Sequence, residues 1–251
     1  MLTGKKGLII GLANRDSISF GCAKILKEQG AELILTHRSE KSYEQVQPLA
    51  NEFSAELYQC DVTDEKSVNT LFSHIQEKWQ ALDFVIHSLA FAKPHELQGR
   101  LVDTSSKGFT QAMDISCHSF VRIAKHAEKL MPHGGALISM SYLGAQKVME
   151  NYNMMGPVKA ALETSIQYLA VELAEKNIRV YGISPGLMPT RAATGIKDLD
   201  QLLKNTERKS PMKRIINKEE VGGLASFLVS DSASGMTGQT LFVDGGYNLV
   251  G

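Results

Sequence analysis

The chain has little cysteine and no excess of charge, and it lacks any long apolar run. Its three cysteines, Cys22, Cys60 and Cys117, are far apart and odd in number. That spacing excludes a disulfide framework and a CxxC metal site, and it favours a reducing compartment. The 27 basic residues are balanced by 27 acidic ones. A neutral average leaves no electrostatic footprint for nucleic acid or an anionic membrane. No apolar stretch is long enough to span a bilayer, and the first residues are too polar for a signal peptide. Neither nucleic acid nor membrane is therefore expected as a partner, and a cytoplasmic location is. None of the seven histidines stands in an HExxH or paired-ligand spacing, so no metal is expected.

What is present is alternation. Seven short apolar runs read as strands: Gly7–Gly11, Glu32–Thr36, Glu56–Cys60, Phe84–His87, Ala136–Met140, Arg179–Ile183 and Thr240–Val243. Most are continuous rather than alternating, the pattern of strands covered on both faces. Between them lie helical patterns at Ile18–Gln29, Ser67–Trp79 (after Asp64 as N-cap), Phe109–Met131, Val158–Glu175 and Lys218–Ser230. This predicts an α/β fold, a doubly wound Rossmann-type seven-stranded parallel sheet flanked by helices. No linker or repeat interrupts it, so residues 1–251 read as one domain. The one long irregular stretch, residues 184–218, follows a strand's carboxyl end and is a candidate substrate loop.

Four strand ends suggest a nucleotide. The first strand runs into Gly11-x5-Ser17-Ile18-x2-Gly21. Gly11 suits a tight exit, Gly21 suits close packing of helix on sheet, and Ser17 stands at a helix N-terminus, where a pyrophosphate is favoured. A glycine-containing turn with no ligand is an equal reading of that motif alone. Arg38 ends the second strand, where NAD-specific sites often carry an acid, and tilts the site toward a 2′-phosphate. A solvated loop arginine is its competitor. Asp61 ends the third strand, suited to accept from an adenine amino group or to start a helix. Small residues follow His87 at the fourth, in Ser88-Leu89-Ala90-Phe91-Ala92.

After the fifth strand come Ser141-Tyr142-Leu143-Gly144 and then Asn151-Tyr152-Asn153, with Lys159 seven residues beyond Tyr152. Two helical turns would put Tyr152 and Lys159 on one face, and the cation would favour negative charge at or near the phenol. These motifs, with Cys60-Asp61-Val62, Gly195-Ile196-Lys197-Asp198 and Val243-Asp244-Gly245-Gly246, resemble the short-chain dehydrogenase/reductase superfamily. More closely, they resemble its bacterial enoyl-[acyl-carrier-protein] reductases of the NAD(P)H-dependent, triclosan-sensitive type. Ordinary members carry Tyr-x3-Lys, whereas Gly156 stands at that position here. Pro157 places the helix start close to Lys159.

The resemblance implies hydride transfer from NADH or NADPH to the β-carbon of a trans-2-enoyl thioester on acyl carrier protein, in fatty acid elongation. It implies Tyr152 as donor to the developing enolate, Tyr142 as its helper and Lys159 as the ribose grip. It implies cofactor contacts from Gly11, Ser17, Ile18, Arg38, Asp61, Val62, Ser88, Leu89, Lys159 and the segment Met188, Pro189, Thr190, Arg191, Ala192. Ala92, Tyr142 and Tyr152 would touch the substrate. Phe91, Met155, Ala192, Ile196 and Leu199 would wall the acyl chain. A homotetramer is implied too. The alternatives are a 3-oxoacyl or other carbonyl reductase, suggested by Pro185-Gly186, and a nucleotide-sensing scaffold without catalysis. The basic run Lys204, Arg208, Lys209, Lys213, Arg214 and Lys218 is a candidate landing surface for an acidic carrier protein.

Overall fold

In a computed structural model, residues 2–250 are described. Seven parallel strands form one sheet in the order β3-β2-β1-β4-β5-β6-β7. They are β1 (Lys6–Ile10), β2 (Glu32–His37), β3 (Glu56–Gln59), β4 (Phe84–His87), β5 (Gly135–Met140), β6 (Ile178–Pro185) and β7 (Thr240–Val243). All seven expected strands are present. Pleating sends neighbouring residues of the central strands to opposite faces. Leu8, Ile10, Val85 and Leu137 enter one core layer, while Ile9, Phe84, Ile86 and Ile138 enter the other. The two edge strands differ from the buried-run expectation. β3 and β7 are only partly covered along their length, because each has a neighbour on one side only.

Helices fill both faces. One layer holds α1 (Ile18–Glu28), α2 (Glu40–Glu52) and α9 (Lys218–Val229). The other holds α3 (Glu65–Trp79), α5 (Ser106–Met113), α6 (Ser119–Ala127) and α7 (Met155–Leu173). Asp64 caps α3 as expected, its carboxylate accepting from the Lys66 N–H at 3.0 Å. Short α4 (Pro94–Leu97) and α10 (Tyr247–Val250) sit at the sheet's carboxyl end region. α2 was not anticipated. Its polar sequence buries only Val46, Leu49 and Ala50 and carries Pro48 inside. The stretch 184–218 is not irregular throughout, since it contains α8 (Leu199–Lys209). The expected single helix Phe109–Met131 begins earlier, at Ser106, and is broken by a π-turn at Asp114–His118.

The strand order reverses between β1 and β4, which opens a crevice at their carboxyl ends. Gly11 has φ +102°, and a Cβ there would lie 2.2 Å from the Ser88 carbonyl. Only glycine lets the two exits approach so closely. Gly21 has a different role from the one expected. It packs on α9 rather than on the sheet, and a Cβ would lie 2.3 Å from the Lys218 carbonyl. Gly222 answers it from α9, 2.5 Å from the Gly21 carbonyl by the same measure. In a free helix Gly21→Ala would gain about 1 kcal/mol of propensity. Here backbone overlap outweighs that gain. The variant is expected to lose about 2 kcal/mol, read as a lower urea midpoint at unchanged slope.

Candidate active site

The nucleotide end is built on turns that satisfy themselves. Ser17 caps α1 in an extended conformation. Its Oγ accepts from the N–H groups of Ala13 and Asn14, at 3.2 and 3.1 Å, and donates to Asn14 Oδ1 at 3.0 Å. The hydroxyl therefore shapes the turn ahead of α1, next to half-buried Ile18. Ser19, which sequence reasoning missed, ties α1 to the strand exit by donating to the Gly11 carbonyl at 3.1 Å.

Arg38 and Asp61, from different strand ends, meet. Arg38 Nε donates to Asp61 Oδ2 at 3.1 Å. Asp61 Oδ1 accepts from the Thr63 N–H and hydroxyl, at 3.0 and 2.7 Å. Burial alone would raise this carboxyl, but the Thr63 and Arg38 bonds outweigh it and hold it below the usual range. Val62 is buried beside it. The segment 188–192 reaches the same region. Arg191 Nη1 donates to Gln45 Oε1 at 2.9 Å, and both line a cleft of about 590 Å³ with Asn14, Arg15 and Asp16. Met188 and Thr190 are buried, the Thr190 hydroxyl accepting from the Ala193 N–H at 3.2 Å, while Pro189 and Ala192 are exposed.

At the end of β4, buried His87 lies between Ser139 Oγ (2.9 Å) and Ser119 Oγ (2.8 Å). Burial, with the nearby Lys159 cation, pushes its pKa down to about 3, so the ring is neutral. Ser88 and Leu89 follow, half-buried. The π-turn of the next helix holds this exit: Ser116 Oγ accepts from the Phe91 N–H at 2.9 Å and donates to its carbonyl at 3.3 Å.

Tyr142 follows β5, and a 3-10 turn at Leu143–Ala145 comes next. Tyr152 is not on the helix with Lys159. It sits in the turn before α7, between Asn151 (φ 58°) and Asn153 (φ 40°), both left-handed. Asparagine tolerates that conformation better than most residues. The Tyr142 and Tyr152 rings lie 4.7 Å apart with planes at 59°. Gly144 makes the room, since a Cβ would fall 2.4 Å from Tyr152 Cδ1 and 3.3 Å from Tyr142 Cδ1.

Lys159 is 2% exposed. Its Nζ donates to the Met140 carbonyl at 2.7 Å and to the Leu89 carbonyl at 3.5 Å. Burial lowers its pKa to about 8. The phenols move opposite to the shift expected from a neighbouring cation. Burial pushes Tyr142 up to about 12 and raises Tyr152 as well. Both remain protonated hydrogen-bond donors at neutral pH.

A cavity of about 210 Å³ opens beside the tyrosines. Of the expected acyl wall, Ile196 lines it with Tyr142 and Tyr152. Met155 instead belongs to the core, Ala192 is exposed, and Phe91 and Leu199 are half-buried outside the cavity lining, as is Ala92, the expected substrate contact. Met149, Leu202, Thr206 and Tyr247 are also among the lining residues. The spacing 199/202/206 along α8 is the sequence signal that could have found two of them. Among the described residues, no group of three or more His, Cys, Asp or Glu side chains is placed to hold a metal ion.

This arrangement matches a known family. The one described as enoyl-(acyl carrier protein) reductase matches residues 11–248. The chain belongs to that family. It is 46% identical over 252 residues to an enoyl-[acyl-carrier-protein] reductase [NADH] FabI of Rickettsia typhi, covering 100% of this chain and 97% of the relative. A solved reductase from Anaplasma phagocytophilum, in complex with NAD, superposes with a TM-score of 0.96 at 47% identity, covering 100% of this chain and 96% of that one. The Bacillus cereus enzyme, solved with NADP+ and an indole naphthyridinone, gives 0.98 at 39% identity, covering 100% and 98%.

Lys159 has a pH signature. Its folded pKa of about 8 lies below its ordinary value of 10.5. Between those values the unfolded chain binds more protons, so stability contributed at this site rises with pH. The burial penalty is full below about 8. Relative to Lys159→Met, whose side chain does not titrate, the native protein is expected to gain about 1 kcal/mol per pH unit across that window. Urea unfolding of the pair at pH 7.5, 9 and 10 measures it.

Proposed function

We propose that the chain reduces the carbon–carbon double bond of a trans-2-enoyl thioester carried on acyl carrier protein, with NADH or NADPH as reductant. The observation that carries this reading is the protonated tyrosine pair over the cavity, with Lys159 anchored behind it on the ends of β4 and β5. A reduced nicotinamide, when bound, would supply a hydride to the β-carbon, and the α-carbon then takes a proton from solvent. Tyr152 donates a hydrogen bond to the thioester oxygen as it gains enolate charge, stabilisation aimed at charge that appears only in the transition state. Tyr142 orients the same thioester. Lys159 spends N–H groups on the Met140 and Leu89 carbonyls, and its third suits a ribose hydroxyl. Gly11, Ser17, Ile18, Val62, Ser88, Leu89 and the segment 188–192 shape the cofactor cleft.

The carbonyl-reductase alternative is disfavoured by packing. Such an enzyme needs a lysine four residues after the tyrosine. Gly156 stands there, and its Cβ would lie 3.0 Å from the Gly144 carbonyl. A lysine stem would push the turn under Tyr152. The choice of cofactor rests on Arg38 and Asp61. The relatives above include one named for NADH and others solved with NAD and with NADP+. The Arg38 side chain is 65% exposed while its Nε holds Asp61, a placement suited to either ribose hydroxyls or a 2′-phosphate.

The basic run narrows as a carrier-protein surface. Arg214 is committed to Glu220, at 2.6 and 2.8 Å, and Lys213 to the Arg208 carbonyl at 2.8 Å. Lys204, Arg208 and Lys209 on α8 remain exposed beside the cavity. Exposed Tyr168 and Val171 on α7 suit the interface of a homotetramer. No helix among the described residues is long and apolar enough to cross a membrane, in keeping with work in the cytoplasm.

Turnover of a crotonyl thioester, followed by nicotinamide absorbance with NADH and NADPH side by side, tests the reading. Tyr152→Phe is expected to lower kcat by about 10²-fold, and Lys159→Ala to abolish most turnover. Arg38→Ala should weaken NADPH more than NADH. Full activity in both the Tyr152 and Lys159 variants would overturn it.

A further inference from the structure

One carboxylate holds both ends of the segment that carries Tyr142. Glu163 lies on α7, one turn beyond Lys159. Its Oε1 accepts from the Ser141 hydroxyl at 2.6 Å, and its Oε2 accepts from the Gln146 side-chain amide at 3.0 Å. Between these anchors stand Tyr142 and the 3-10 turn. The turn closes on itself through the Ala145 N–H to the Tyr142 carbonyl (2.9 Å), and through the Gln146 and Lys147 N–H groups to the Leu143 carbonyl (2.9 and 3.0 Å). Gly144, inside the turn, lies against both tyrosine rings. A shift of the turn therefore shifts Tyr142 directly and Tyr152 by contact.

We infer that Glu163 is a positioning residue, which bridges Ser141 and Gln146 so that the Tyr142 turn is fixed to the helix bearing Lys159. Hydrogen bonds to an ionised acceptor are shorter and stronger than neutral ones, and two of them on one planar group restrain rotation as well as distance. Two side chains that must act on one thioester are thus referenced to a single helix. Small misplacements of reacting groups carry large rate penalties. The consequence for turnover rests on the enoyl-reductase reading; the clamp itself does not.

Full-length Glu163→Ala, Glu163→Gln and Ser141→Ala, with the double variant Ser141→Ala/Glu163→Ala, separate the possibilities. Hydrogen exchange of residues 141–147 reads the clamp without any substrate. In Glu163→Ala the amides of Ala145, Gln146 and Lys147 are expected to exchange about tenfold faster. The kcat for crotonyl thioester is expected to fall about tenfold, while the KM for the reduced nicotinamide stays within about twofold. Glu163→Gln, whose amide oxygen still accepts from Ser141 and whose NH2 can donate to Gln146 once that side chain turns its own oxygen inward, should recover most of both. The double variant should fall no further than Glu163→Ala, since both remove the same tie. Unchanged exchange in Glu163→Ala overturns the inference. So does a Glu163→Gln as impaired as Glu163→Ala, which would assign the effect to the charge beside Lys159. If exchange responds as expected but native protein turns over no enoyl thioester, the clamp stands and the functional reading fails.

Discussion

The site depends on one buried ammonium. Placing the Lys159 Nζ out of water is costly unless hydrogen bonds replace its hydration. The replacement comes from the backbone: the Met140 carbonyl at the end of β5 and the Leu89 carbonyl just beyond β4. Those oxygens are where they are because β4 and β5 pair in register from Phe84↔Ala136 to His87↔Ser139. The position of the charge is thus set by sheet geometry rather than by flexible side chains. Its acidity follows from the same cause, burial.

The imidazole and the phenols near that charge are uncharged. His87 is held neutral between two serines, and both tyrosines retain their protons. The result is a cation, with the Glu163 carboxylate one helical turn away, beside a set of neutral donors. Such a site opposes a resting phenolate and favours negative charge that arises on a bound oxygen. Preorganised donors of this kind need no rearrangement at the moment of reaction.

Much of this was legible in the sequence, and the failures share a cause. The seven strands were readable because buried parallel strands are continuous apolar runs, and the tyrosine–lysine spacing carried the family resemblance. The reading erred where local pattern and tertiary context diverge. Spacing of seven suggested that Tyr152 and Lys159 share a helix. The two left-handed asparagines flanking Tyr152 were the better signal, and Pro157 agreed with them, since proline is tolerated in a first helical turn. The π-turn was hidden for a subtler reason. Gly108, Ala112, Ser116, Phe120 and Ala124 are all buried at a spacing of four. In a regular helix that spacing drifts by about 40° per step. A widened turn takes up part of that drift and keeps the row buried. α2 and α8 were missed because each is mostly polar and buries few residues, so the helical spacing of its inward positions, 199/202/206 on α8, stands out little. The cavity wall was missed with α8.

The cover over the cavity has fixed feet. At its start, the Gly186 N–H is paired to the Val243 carbonyl at 2.8 Å, and the Asn151 side chain donates to the Lys197 carbonyl at 2.9 Å. At its far end, Ser210 Oγ donates to the Gly245 carbonyl at 2.8 Å, and the reciprocal Asn217–Glu220 cap begins α9. α9 is in turn locked to α1 through the two facing glycines. Between these tethers stands α8, itself tied back by the Lys213 ammonium on the Arg208 carbonyl at 2.8 Å. The wall that α8 gives the cavity is thus slung at both feet from the carboxyl end of β7, so its place beside the tyrosines follows from the last strand pairing of the sheet.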